Sequence, residues 1–76
     1  MAIISPAKMR ILKELAKEPL HGYALSKRLG VTISSIYEHL SELEKEGLVA
    51  YRVDGRKKVY NLTEKGQGLL KILDQE

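Results

Sequence analysis

Apolar residues recur along the chain at two different periods, and the change between them separates helices from a hairpin. From Val31 to Gly47, VTISSIYEHLSELEKEG places Ile33, Ile36, Leu40 and Leu43 three or four residues apart, the spacing of one helical face. Thr32 is a natural N-cap, because its hydroxyl can accept an orphan amide of the first turn. Gly47 is the expected stop, because glycine adopts the left-handed conformation that closes a helix. Two shorter helical patterns come before. Ser5-Pro6 reads as an N-cap with proline at the first helical position, Ile11, Leu12, Leu15 and Ala16 form the stripe, and Pro19 ends the run. Leu20-His21-Gly22 is a connector with room for a few strand-like residues. Tyr23 to Leu29 is a second helix, with Ala24, Leu25 and Leu29 inward and Lys27 and Arg28 outward. Gly30-Val31 then turns tightly into the third.

After Gly47 the period shortens to two. Leu48 to Val53 is rich in β-branched and aromatic residues, with Val49, Tyr51 and Val53 on one side. Asp54-Gly55 is a strong hairpin signal, expected to place both residues at positive φ, and Lys58 to Leu62 is the return strand. Thr63 caps a last helix with Glu64 in its first turn. Two short helices joined by a glycine-containing turn make a helix-turn-helix, whose second helix enters the major groove of DNA. The predicted fold is mainly α with a small β-hairpin: a winged helix-turn-helix with a three-helix core, a wing and a C-terminal helix. One domain is expected over residues 1–76, with the helix-turn-helix at about 23–46, the wing at about 48–62 and the last helix at about 64–74.

At 76 residues, 43% hydrophobic and 30% charged, the chain is globular, and with no cysteine it relies on its packed core. No apolar run approaches the roughly 18–20 residues of a membrane span, and MAIIS is too short for a signal peptide, so a cytoplasmic location without membrane partners is expected. The net charge of +3 matters less than its distribution. Residues 5–31 carry Lys8, Arg10, Lys13, Lys17, Lys27 and Arg28 against Glu14 and Glu18, and residues 48–58 carry Arg52, Arg56, Lys57 and Lys58 against Asp54. The third helix is net acidic. Basic zones flanking a polar helix suit a polyanion that touches the flanks. His21 and His39 stand on different elements with no cysteine near, and no nucleophile–base grouping or glycine-rich phosphate loop occurs. No enzyme activity, metal or cofactor is expected.

The candidate DNA-binding residues follow from that arrangement. Thr32, Ser34 and Ser35 stand in the first turn of the third helix, where hydroxyls and amides reach phosphate, although the serines can also serve the cap. Tyr37 follows inward-facing Ile36 and either turns its hydroxyl to DNA or simply packs. Glu38 can accept from cytosine N4, and His39 is the stronger major-groove candidate because it can donate to guanine or contact phosphate. Glu42 is expected to face solvent. Arg56, Lys57 and Lys58 at the hairpin tip can reach the minor groove or its rim, and Lys27 and Arg28 are placed for phosphate.

His21-Gly22-Tyr23, Ile36-Tyr37 followed by Leu40 and Leu43, the run Leu43-Glu44-Lys45-Glu46-Gly47-Leu48-Val49, the basic hairpin and Tyr60-Asn61-Leu62-Thr63-Glu64-Lys65-Gly66 together resemble the PadR family of transcription regulators. The resemblance covers roughly residues 9–70; the run from Leu43 to Val49 is similar to MarR-like and ArsR-like regulators as well. Where the family carries proline after the recognition-helix tyrosine, this chain has Glu38. The family's longer C-terminal helical region has no counterpart in these residues, so effector sensing is not carried over and any small-molecule effector is unknown.

The expectation is a sequence-specific, double-stranded-DNA-binding regulator, a repressor rather than an activator because operator occupancy alone suffices to repress. The alternatives are a winged helix used for protein–protein contact and a non-specific, chromatin-like DNA binder. Leu62, Gly66, Leu69, Leu70 and Leu73 form the stripe of the last helix, with Ile72 beside it, and one core cannot cover them all. A homodimer is therefore expected, with Ile3, Ile4, Leu69, Ile72 and Leu73 at its interface.

Overall fold

Ser5 starts the first helix by accepting the Lys8 amide on its hydroxyl at 3.3 Å, and Pro6 fills the first helical position, where a missing N–H costs nothing. In this computed structural model, which describes residues 5–74, the order is α1 (Pro6–Lys17), β1 (Leu20–His21), α2 (Gly22–Leu29), α3 (Ile33–Lys45), β2 (Val49–Asp54), β3 (Lys57–Leu62) and α4 (Glu64–Asp74). Ile3 and Ile4, expected at a dimer interface, lie outside the described residues. The strands form one antiparallel sheet in the order β1-β3-β2, with Leu20 opposite Tyr60 and Val49 opposite Leu62. The connector before α2 thus contributes a third strand to the base of the wing.

The core joins Ile11, Leu12 and Leu15 of α1, Leu25 of α2, and Ile36, Leu40 and Leu43 of α3 to Leu48, Val49, Tyr60, Leu62 and Leu70. Each fully buried leucine or isoleucine contributes about 1.5–3 kcal/mol, so the α3 face alone is a large share of what holds so small a domain. This is the winged helix-turn-helix: three packed helices, a hairpin wing and a closing C-terminal helix.

The ends of the helices are fixed by caps that the sequence carries. Gly47 takes φ 77°, its amide donates to the Glu44 carbonyl at 2.9 Å, and the Leu48 amide donates to the Leu43 carbonyl at 2.9 Å. That bond pair is a Schellman stop, and it hands the chain directly from α3 into β2. Thr63 donates to the Gly47 carbonyl at 2.6 Å and accepts the Gly66 amide at 3.1 Å, while Lys65 donates to the Glu46 carbonyl at 2.9 Å. α4 is thereby pinned to the end of α3. A Cβ at Gly66 would overlap the Leu48 carbonyl oxygen, so only glycine permits this approach.

Three details depart from the sequence pattern. Ile33 is not core but 41% exposed, because it opens the first turn of α3, which extends past the buried residues. Tyr51 and Val53 share the side of Val49, but the hairpin reaches beyond the core, leaving Val53 66% exposed. The hairpin turn is Gly55-Arg56 rather than Asp54-Gly55: Asp54 stays in β2 opposite Lys57, and Gly55 alone has positive φ, at 66°. A glycine at the first of two turn positions bears the unusual conformation by itself, so Asp54 keeps ordinary strand geometry.

Candidate nucleic-acid interface

Burial of Ile36, Leu40 and Leu43 decides which residues α3 presents outward. At 100° per residue the opposite line is Ser34, Glu38, Ser41 and Lys45, and all four are exposed. They border a shallow groove together with Ile33, Tyr37 and Glu42. Thr32 is the N-cap: its hydroxyl accepts the Ser35 amide at 3.3 Å and donates to the Ser35 hydroxyl at 3.1 Å. Ser35 is therefore drawn into the cap, and Ser34 is the first-turn hydroxyl left on the open face. His39 does not lie on that line. It is half-buried on the flank, and Glu38, placed with it on the polar face by the sequence, lies on the outward line.

Tyr37 joins this face to the wing. Its ring lies over Gly22, where an added Cβ would stand 2.6 Å from Tyr37 Cζ, yet the side chain remains 42% exposed. On its other side Tyr37 lines a groove of about 450 Å3 with His21, Tyr23, Arg56, Lys57 and Lys58. His21 caps α2 by accepting the Ala24 amide on Nδ1 at 3.1 Å, which requires the ring proton to sit on Nε2. His21 and Tyr23 stack at 6.4 Å, and Lys27 lies over the Tyr23 ring at 5.3 Å. At the wing, Lys58 lies 4.6 Å from the Tyr51 ring centre, and Tyr51 packs on Tyr60, whose hydroxyl is pushed above the ordinary phenol range by burial. His21, Gly22 and Tyr23 thus have distinct jobs as cap, contact and groove wall. The sequence signal for them was the HGY motif, but which of the three faces the groove depends on tertiary packing.

The two basic zones differ in their partners. Arg28 donates to Glu18 at 2.7 Å and Glu14 at 3.3 Å, tying α2 to α1, and Lys17 also reaches Glu14 at 3.3 Å. Lys8 pairs with Glu42 at 2.6 Å, so Glu42 links α3 to α1 rather than simply facing solvent. Lys8 accordingly holds the Glu42 carboxyl below the usual range, and Lys17 followed by Arg28 does the same to Glu14. Among the described residues no carboxylate lies within ion-pair distance of Arg56, Lys57 or Lys58. Among them, too, no cluster of histidine or acid side chains could hold a metal, and no helix is long and apolar enough to cross a membrane. At the last helix, Leu70 is buried, Leu69 and Leu73 are half-buried, and Ile72 is 64% exposed.

Residues 11–72 match the model of the transcriptional regulator PadR-like family. The chain belongs to this family. It is similar to the nodulation protein NolR of Rhizobium meliloti, 33% identical over 72 residues that make up 95% of this chain and 57% of NolR. Among solved structures, the transcriptional regulator BldR from Sulfolobus solfataricus is 31% identical with a TM-score of 0.90, over 95% of this chain and 54% of BldR. The adhesin competence repressor AdcR of Streptococcus pyogenes, at 20% identity and a TM-score of 0.88, covers 95% of this chain and 56% of its own, and shows the shared fold alone. This PadR-like chain thus spans little more than half the length of the proteins it matches.

Proposed function

We propose that this PadR-like regulator binds double-stranded DNA sequence-specifically as a homodimer and acts as a repressor. In this reading α3 enters the major groove with Ser34, Tyr37, Glu38 and Ser41 toward the bases, Thr32 and Ser35 sit near phosphate at its start, and the wing follows the backbone into the adjacent minor groove. The observation that carries it is the double membership of Tyr37, which makes the polar face of α3 and the Arg56–Lys58 cluster one continuous surface. Lys27 lies over the Tyr23 ring beside that surface, Arg28 already shares its charge between two carboxylates of the first helix and its end, and His39 is left to the groove edge. Repression needs only occupancy of the operator. Ile72, with Leu69 and Leu73 beside it, supports pairing through α4, which would set two copies of α3 against successive major grooves about 34 Å apart.

The test is selection of bound sequences from a random DNA pool, followed by sedimentation of the protein with and without the selected site. A recovered inverted repeat and a two-chain mass support the reading. Uniform, salt-sensitive binding to any sequence would replace it with a non-specific binder, and no binding at low salt would point to a protein partner.

A further inference from the structure

We propose that Ile33 determines base preference by packing on the C5-methyl group of thymine, an inference that rests on the DNA-binding reading above. Ile33 is the first residue of α3, a position that favours prolines, acids and small polar residues, and it belongs neither to the core nor to its fringe. Single exposed apolar side chains are common on protein surfaces and by themselves mean nothing. What distinguishes Ile33 is its company. It opens the outward groove of α3 beside Ser34, Tyr37, Glu38 and Ser41, so the face expected to meet base edges is polar except at this end.

Tyr37 stands one turn further along, and its ring is held in place over Gly22 of α2. Ile33 and the exposed part of that ring form a short apolar strip with a fixed back wall. One apolar residue beside one tyrosine is too small a patch for a stable protein interface, and it offers a phosphate nothing. Along the major groove the apolar group on a base edge is the thymine methyl, and aliphatic contact with it is a known mode of direct readout. Glu38, one turn from Ser34 on the same face, is an acceptor, so the two ends of the helix face ask for different edges: a methyl at Ile33 and a donor at Glu38.

The experiment uses the highest-affinity site recovered from the random pool, resynthesised with each thymine replaced singly by uracil, which removes only the methyl. Binding is followed by fluorescence anisotropy at one salt concentration. Uracil at one position of the site, or its symmetric mate, should weaken binding by about fourfold, the worth of one buried methyl group. Ile33→Ala should bind the thymine site more weakly and bind thymine and uracil versions equally, while its Tm stays that of the parent because no core contact is lost. The inference is overturned if no uracil matters, or if the uracil effect persists undiminished in Ile33→Ala. A protein that recovers no preferred sequence sinks the DNA-binding reading and this inference with it. One that recovers a site indifferent to uracil sinks this inference alone.

Discussion

The sequence offers two basic zones of similar appearance, and the fold makes them unlike. On α2, Arg28 is held by Glu18 and Glu14 of the first helix and its surroundings, so its charge works as a strut between α1 and α2. On the wing, Arg56, Lys57 and Lys58 meet no carboxylate among the described residues and are backed instead by Tyr51, Tyr37 and Tyr23. Aromatic walls leave a cation's charge directed outward, whereas carboxylates neutralise it. Counting lysines and arginines along a chain therefore overstates one zone and understates the other. What a base is worth to a polyanion depends on which acids the fold has already brought to it.

The largest expected effect breaks the wing. Changing Arg56, Lys57 and Lys58 together to alanine should weaken binding to every DNA sequence by at least about tenfold, and should flatten the slope of log affinity against log salt by about 0.9 for each phosphate contact removed. All three are exposed, so the Tm should hold; affinity and slope both unchanged would make the wing a solvated turn. Next comes Gly22→Ala. The added methyl meets the Tyr37 ring, so repacking should cost about 1–3 kcal/mol and move the tyrosine that joins wing to helix. Denaturant titration of Gly22→Ala alone and in a Tyr37→Ala background separates causes: the cost should largely vanish where the ring is absent. Equal costs in both backgrounds would show that Gly22 is needed for some other reason.

Legibility in the sequence followed the range of the interaction. Ile36, Leu40 and Leu43 announced the buried face of α3 through local periodicity, and Thr32 and Gly47 marked its ends through local hydrogen bonding. The hairpin was legible from Asp54-Gly55, yet its turn falls one residue later, because a glycine-first turn needs positive φ at one residue only. Ile33 fits the same three-and-four spacing as the core residues, and periodicity has no term for where the core stops. His39 is half-buried and Glu38 exposed because they are 100° apart on the helix and the orientation of the face is fixed by neighbours distant in sequence. The roles of Gly22 and Gly66, and the pairing of Arg28 with α1, link residues well apart in the chain or in different elements, and no local pattern encodes such contacts.

A smaller effect is expected from Arg28. Arg28→Ala removes the shared partner of Glu14 and Glu18, so the Tm should fall, while the salt slope of DNA binding should match that of the unaltered protein. A slope flatter by about 0.9 would place Arg28 on phosphate beside the wing and dissolve the distinction between the zones.

The smallest effect is a pH dependence of stability that belongs to the paired acids and not to the wing. Glu14 is held below its ordinary value of 4.5 by the Lys17 hydrogen bond and then by Arg28, and Glu42 is held below 4.5 by Lys8. A carboxyl whose folded pKa is depressed binds fewer protons folded than unfolded in that window, so it adds stability that is complete above the unfolded value. That stability is lost as pH falls below 4.5 through the folded values. Both acids are solvent-screened, and the shift in Tm should accordingly be modest and should shrink in high salt. Thermal melts at about pH 6 and about pH 3 are the measurement, with Glu14→Gln/Glu42→Gln as the reference, since glutamine cannot titrate. The unaltered protein should lose more Tm on acidification than this double variant, and the alanine wing variant should lose as much as the unaltered protein. Equal losses in the glutamine variant and the unaltered protein would mean that the struts to α1 contribute nothing measurable, leaving the core alone to hold the helices in register.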